Sequence, residues 1–408
     1  MIITTEPTRT LLRLCCLLLF SASLSAQTVT EHTLHSDVLR MDRSVWVYTP
    51  WWEEDPPEER APATVLFVFD AQNRAMFDLV HSTVSLFAPW NAPVLVVGVQ
   101  SAWNPARKWN RNTELLPPPE NKRWIKNFGG FAGKGDSLLL HLTSELIPWV
   151  EARYPTLPRR ALLGHSNGAT FALYALLNAE PEVFTDVIAL SPNFRYDDNR
   201  LGRRLIDALR EDNKQPFRPT VFLSRANESN ATGFYGWDTA AAVVHEQIVE
   251  PAVTANYAVT TASYPERDHM TGYPFGVLDG LLALFSDMYT DGTNAAAYYQ
   301  WLGDDNHQKL TPDLLNNAAY TALQANHPKD ALVLIQLAVK TFPEQDDNLH
   351  DSHGEILLAN DQPAAAEQAF VRALEILEQR RSDLDDADYK RRKAAYRDRL
   401  TSLRKSSD

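Results

Sequence analysis

The chain of 408 residues has only two cysteines, Cys15 and Cys16. Both lie in its first 26 residues, so a chain cleaved after them would have no disulfide, thiolate metal site or cysteine nucleophile. Basic residues are also fewer than acidic ones: the chain has 39 Lys and Arg and 52 Asp and Glu, which gives a net charge of -13. We therefore expect no nucleic-acid partner. No apolar run is long enough to predict a membrane span.

Residues 1–26 have the pattern of a secretory signal peptide. Arg9 and Arg13 supply positive charge, 14–20 is an apolar core, and the small residues of 21–26 end in a cleavage site before Gln27. This predicts a periplasmic or secreted protein.

Between residues 27 and 290, apolar runs alternate with stretches of helical period. Several runs are β-branched and apolar on consecutive residues, as in strands that are buried on both faces of a sheet. The alternation predicts one α/β domain with a mainly parallel sheet. The predicted strands are Val45–Tyr48, Val65–Phe69, Val94–Val99, Ala161–Leu163, Val187–Leu190, Val221–Leu223 and Ala258–Tyr264.

Residues 291–408 divide into three segments. Residues 291–310 are predicted to be a linker, 311–378 two copies of a helical repeat at an offset of 35, and 379–408 a charged, solvated terminal helix or tail. The repeat resembles the tetratricopeptide repeat, although a generic helical hairpin fits the same pattern. Such helices predict packing on the first domain, self-association or a protein partner.

The motif Gly164-His165-Ser166-Asn167-Gly168 lies between a predicted strand and a predicted helix. In that context G-x-S-x-G is the nucleophile elbow, a tight turn that exposes the serine at the carboxyl end of the sheet. We therefore predict Ser166 as a nucleophile. His165 is expected to pack against the neighbouring strand instead of acting as a second base.

A serine nucleophile needs a base, and an acid to orient the base. His269 follows the last predicted strand in a polar loop, the expected place for the base. Glu228 follows the strand 221–223 and is the favoured acid, with Asp238 as the alternative. The predicted oxyanion hole consists of the backbone N–H of Asn167 and one from the loop after 65–69, assigned to Ala71.

A long insertion, 103–135, is rich in proline, aromatic and basic residues, which predicts a lid or binding loop. Trp103, Arg107, Trp109 and Trp124 are its candidate substrate-binding residues. The basic residues would favour an anionic ligand or remain solvated. No cofactor or metal is expected, because His350, Asp351 and His353 are better explained as a polar helix face.

These residues resemble the putative-esterase family of α/β-hydrolases, which includes enterochelin-type siderophore esterases and feruloyl esterases. The resemblance covers about residues 28–288 and rests on 65–70, 96–99, 145–148, 164–174, 189–192 and 268–269. It implies an α/β-hydrolase fold, with Ser166, Glu228 and His269 as nucleophile, acid and base, and a small-molecule ester as substrate. An acyltransferase with the same triad and a non-catalytic binding protein are the alternatives.

Overall fold

The computed structural model describes residues 29–50, 60, 62–87, 93–211, 217–230, 236–248, 257–304 and 310–406. The predicted signal peptide therefore lies outside the described residues. The strands are β1 (Val29–Ser36), β2 (Met41–Tyr48), β3 (Ala63–Phe69), β4 (Val94–Val99), β5 (Thr156–His165), β6 (Asp186–Leu190), β7 (Thr220–Asn227) and β8 (Ala258–Asp268).

Helices connect and flank these strands. They are α1 (Arg74–Phe87), α2 (Arg111–Leu115), α3 (Arg123–Asn127), α4 (Gly135–His141), α5 (Ile147–Glu151), α6 (Asn167–Asn178), α7 (Arg200–Arg210), α8 (Trp237–Ile248), α9 (Tyr273–Thr290), α10 (Gly292–Asp304), α11 (Pro312–Gln324), α12 (Pro328–Thr341), α13 (Asp347–Ala359), α14 (Pro363–Gln379) and α15 (Asp386–Ser406). A π-helical turn, Leu142–Leu146, joins α4 to α5.

The eight strands form one sheet in the order β1-β2-β4-β3-β5-β6-β7-β8. β1, β2 and β4 pair antiparallel, and all pairs from β4 to β8 are parallel. The predicted α/β class with a mainly parallel sheet is confirmed. Because the parallel strands run the same way, their carboxyl ends lie along one edge, where an α/β sheet binds ligands.

The central strands β3, β4 and β6 are buried along their whole length, as expected where helices cover both faces of the sheet. In β3, Val65, Phe67 and Phe69 pack into one core, and the alternate residues Leu66 and Val68 pack into the other. All seven residues of β3 are buried. This double cover holds the strand ends in fixed positions.

The structure adds elements that the sequence patterns did not predict. β1 is an edge strand, and α1 and α7 flank the sheet. The predicted linker 291–310 is wrong for most of its length, because α10 occupies Gly292–Asp304. Apolar side chains on α10, including Tyr298 and Leu302, are buried against neighbouring elements, so this segment packs as a helix.

The C-terminal helices form successive pairs. α11 and α13 begin at 312 and 347, and α12 and α14 begin at 328 and 363, so both helix starts repeat at the predicted offset of 35. α10 joins this region to the sheet domain through an apolar cluster that includes Leu157 and Phe217. The helices are therefore packed on the first domain. Within the part of the chain that the structure describes, no helix is both long and apolar enough to cross a membrane.

Candidate active site

Ser166 occupies a sharp turn between β5, which ends at His165, and α6, which begins at Asn167. Its backbone has φ 61° and ψ −125°, a strained conformation for a residue with a side chain. A Cβ on Gly164 would lie 2.2 Å from the backbone of Gly168, so the turn closes only with glycine there. The N–H of Ser166 donates to the carbonyl of Leu190 on β6 at 2.9 Å. The elbow predicted from G-x-S-x-G thus has the expected geometry.

Glu228 and His269 follow neighbouring strands at the same edge of the sheet. Asn227, which ends β7, pairs with Asp268, which ends β8, so the next residue of each strand lies beside the other. Nδ1 of His269 donates to a carboxylate oxygen of Glu228 at 2.5 Å. Asp238, the alternative acid, instead lies in the first turn of α8.

The Glu228 side chain is fully buried. Burial alone would raise the pKa of its carboxyl group, but hydrogen bonds from His269, Ser191 and the Ala226 N–H, together with the charge of His269, lower the pKa below its ordinary value. The carboxylate is therefore ionised at neutral pH. In that state it can hold one imidazole tautomer and stabilise the imidazolium.

His165 connects the base to the elbow. Its Nε2–H donates to the backbone carbonyl of His269 at 2.8 Å, and the two imidazole rings lie 4.4 Å apart. Since His165 precedes Ser166 directly, this bond ties the backbone of His269 to the residue before the predicted nucleophile. Burial, with the nearby charge of His269, lowers the pKa of His165 to about 3. His165 is thus neutral near pH 7, its ring contacts those of His269 and Tyr273, and its hydrogen bond to the His269 backbone holds the loop after β8.

Trp237 also packs against the ring of His269. The two rings meet edge-on at 5.2 Å, and the indole N–H donates to the carbonyl of Pro192 at 2.9 Å. This residue opens α8, and no motif in the sequence indicated its contact with the base.

The two predicted oxyanion donors differ in their availability. Asn167 is the first residue of α6, where backbone N–H groups have no partner within the helix. The N–H of Ala71, by contrast, donates to the carbonyl of Val99 at 3.2 Å. The assignment of Ala71 to the oxyanion hole is therefore corrected, because its backbone N–H already donates to a carbonyl of β4 and is not available to a substrate oxygen. The next residue, Gln72, is exposed, and among the described hydrogen bonds its backbone N–H donates to no acceptor.

Three of the four candidate substrate-binding residues in the insertion contact other parts of the protein and stabilise the position of the insertion. Trp109 is 3% exposed and its indole N–H donates to Glu114 at 2.8 Å. Trp124 is buried against Tyr196. Arg107 donates to two backbone carbonyls on the β1–β2 turn.

Trp103 is different from these three, because 70% of its surface is exposed. Its ring lies nearly parallel to that of Phe131, with centroids 6.5 Å apart. Of the four candidates, Trp103 is thus the one whose ring is open to a ligand.

The possible metal ligands do not converge. His350 contacts the carbonyl of Pro343, and Asp351 forms an ion pair with Arg399 at 3.1 Å. Within the described residues, no group of three or more His, Cys, Asp or Glu side chains is arranged to hold a metal ion.

Comparison with known proteins agrees with this architecture. Residues 118–231 match the family model described as Putative esterase. No curated protein matches the chain. An IroE-like serine hydrolase from Shewanella oneidensis superposes with a TM-score of 0.57 at 19% identity, over 77% of this chain and 100% of its own. A siderophore hydrolase, EstA from Aspergillus nidulans, superposes with a TM-score of 0.50 at 18% identity, over 64% of this chain and 95% of its own.

A third structure extends the likeness beyond the sheet domain. An uncharacterised protein from Capnocytophaga ochracea superposes with a TM-score of 0.55 at 14% identity, over 92% of this chain and 99% of its own. That coverage includes most of the C-terminal helices. The chain therefore has the α/β-hydrolase fold, and its residues 118–231 match the family model of the putative esterases.

Proposed function

We propose that this protein is a serine esterase that hydrolyses a carboxylic ester through an acyl-enzyme on Ser166. The observation that carries the proposal is the bond between His269 and the buried Glu228, at the same edge of the parallel strands as a serine held at φ 61°. A strained nucleophile, a base and a buried carboxylate that orients the base are the parts that acyl transfer requires.

In the proposed mechanism, Oγ of Ser166 attacks the ester carbonyl while Nε2 of His269 accepts the hydroxyl proton. The C–O bond to the leaving alcohol then breaks, and His269 returns the proton to that alcohol. A water molecule, activated by the same imidazole, cleaves the acyl-enzyme and releases the carboxylic acid. Glu228 stays ionised throughout.

The oxyanion of both tetrahedral intermediates needs two preorganised N–H donors. We assign one to the backbone N–H of Asn167. This residue begins α6, so the positive end of the helix dipole also stabilises negative charge at this position. We assign the other to Gln72, which replaces Ala71 in this role. Gln72 lies two residues after Asp70, whose φ of 61° turns the loop sharply after β3.

The proposed substrate is a small ester of the siderophore type, acted on in the periplasm or outside the cell. The match to the esterase family and the likeness to a siderophore hydrolase support this class. Trp103, exposed beside Phe131, offers an aromatic face to such a ligand. The location rests on the signal-like pattern of residues 1–26.

Hydrolysis of p-nitrophenyl butyrate and of a triscatecholate trilactone tests this proposal. Ser166→Ala should reduce kcat by on the order of a million-fold, to the background rate. Ser82→Ala, the same change at an exposed helical serine, serves as the matched control and should match the wild type. Equal turnover by the Ser166→Ala and wild-type proteins would refute the proposed nucleophile.

A further inference from the structure

The short helix α2 of the insertion is bonded to the residue that begins α6. Nδ2 of Asn167 donates to Oδ1 of Asn112 at 2.9 Å. Oδ1 of Asn167 in turn accepts from Nδ2 of Asn193 at 3.0 Å. Both polar atoms of the Asn167 side-chain amide are therefore hydrogen-bonded, Nδ2 to the insertion and Oδ1 to the loop after β6.

The same helix is bonded to the loop that follows β3. The guanidinium of Arg111 donates to both carboxylate oxygens of Asp70, at 2.8 and 2.6 Å. Asp70 is buried, and it is the residue whose φ of 61° sets the direction of the loop. A two-bond contact from a planar guanidinium fixes orientation as well as distance. Adjacent residues of α2 thus contact both segments that carry the assigned oxyanion donors.

The helix itself is anchored in the core. Glu114 is buried, and its carboxylate accepts hydrogen bonds from Arg43 on β2 at 2.6 and 3.1 Å and from the indole of Trp109 at 2.8 Å. Arg43 is buried as well. Removing either partner of such a pair leaves an uncompensated buried charge, so the anchor resists displacement. The helix α2 is therefore held in a fixed position near the turn that carries Ser166.

We propose that Asn112 is a positioning residue for the oxyanion hole. It acts through the side chain of Asn167 to fix the direction of the Asn167 backbone N–H, and its neighbour Arg111 does the same for the loop from Asp70 to Gln72. The inference rests on the proposed function. Donors contribute to transition-state stabilisation only when they are aimed beforehand at the developing charge, and a displacement of an ångström costs a large factor in rate.

This role predicts a particular kinetic signature. Oxyanion donors act more strongly on the transition state than on the bound ester, so disturbing them lowers kcat and leaves KM almost unchanged. A residue that merely lined the substrate pocket would raise KM. A residue that merely stabilised the fold would lower the amount of folded protein and leave kcat per active site unchanged.

The test is a double-mutant cycle in the full chain, with p-nitrophenyl butyrate as substrate and active sites counted by a fluorophosphonate probe. Asn112→Ala and Asn167→Ala should each lower kcat about tenfold with KM within twofold. The double variant should fall no further than about twofold below the lower single variant, because both changes remove the same bond. Asn127→Ala, an exposed asparagine of the same insertion, is the matched control.

Each outcome of this cycle decides the inference. Additive losses, a rise in KM alone, or an Asn112→Ala variant as active as Asn127→Ala would overturn it. If Asn112→Ala does not fold, Asn167→Ala still removes the bond from the other side, and wild-type kcat there would also overturn it. A wild-type protein that neither hydrolyses the ester nor reacts with the probe would instead refute the proposed function, and with it this inference.

Discussion

Nδ1 of His269 lies 2.5 Å from a carboxylate oxygen of Glu228, and no part of the Glu228 side chain reaches solvent. The contact follows from strand register, because the residues just before this pair, Asn227 and Asp268, are paired between β7 and β8. A carboxylate shielded in this way orients the imidazole and compensates its charge with little screening by water.

The first prediction separates the two candidate acids. Glu228→Gln should lower kcat by about 10³–10⁴, because a neutral amide neither stabilises the imidazolium nor fixes the required tautomer. Asp238→Asn, the matched change at the rival position, should leave kcat within about twofold. Steady-state hydrolysis of p-nitrophenyl butyrate measures both, and the reverse ranking would assign the acid to Asp238.

The second prediction concerns acid stability. The pKa of His165 is about 3 in the folded protein, against 6.5 for an ordinary histidine. Between these values the unfolded chain binds a proton that the folded chain excludes, so the free energy of unfolding falls as pH drops below about 6.5. At pH 5 this effect amounts to about 2 kcal/mol.

Urea unfolding at pH 7 and pH 5 checks the effect. His165→Asn should lose less stability than the wild type between the two pH values, by about 2 kcal/mol. Equal losses in both proteins would show that His165 is not held neutral.

The third prediction concerns a buried acid in α13. Burial raises the pKa of Asp351 to about 6; the charge of Arg399 opposes this rise and that of Asp347 adds to it. Because the folded pKa lies above the unfolded one, Asp351 destabilises the fold as pH rises from about 4 through 6. Asp351→Asn should therefore stabilise the protein at pH 8 by about 3 kcal/mol.

Arg399 keeps an ion pair with Glu355 in that variant. Urea unfolding at pH 8 and pH 3 measures the gain, which should almost vanish at pH 3, where Asp351 is largely protonated in both states. A gain of the same size at both pH values would mean that its origin is not the charge.

The fourth prediction concerns the join between the two regions. Phe217 is buried beneath α10, with its ring 5.2 Å from those of Tyr298 and Trp301. A chain ending at Thr290 should keep fluorophosphonate labelling at Ser166, but it should self-associate because Phe217 and Leu157 become exposed. Size-exclusion chromatography measures this, and the same truncation with Phe217→Ser should associate less. Loss of labelling in a folded truncation would show that the helices shape the site.

The sequence revealed the elements whose signals are local. The position of Ser166 in a sharp turn between a strand and a helix was predictable because the strand, G-x-S-x-G and the helix are contiguous in the chain. His269 and Glu228 followed from their positions after successive strands. β1 escaped prediction because it is an edge strand in which polar residues such as Glu31 and His32 interrupt the apolar pattern.

Features set by long-range packing could not be read in the same way. The N–H of Ala71 donates to the carbonyl of Val99 only because the loop after β3 folds onto β4. Trp109 and Trp103 look alike in the sequence, yet the first is buried on Glu114 and the second is exposed. The bond from Asn112 to Asn167 joins residues 55 positions apart, and no pattern within either segment indicates it.

Reaction with a fluorophosphonate probe, followed by mass spectrometry of the labelled peptide, tests the central claim most directly. We expect one adduct per wild-type chain, on Ser166, no adduct in the Ser166→Ala protein, and strongly slowed labelling in a His269→Ala protein. A folded wild-type protein that remains unlabelled, or one labelled equally after Ser166→Ala, would contradict the assignment of Ser166 as the nucleophile.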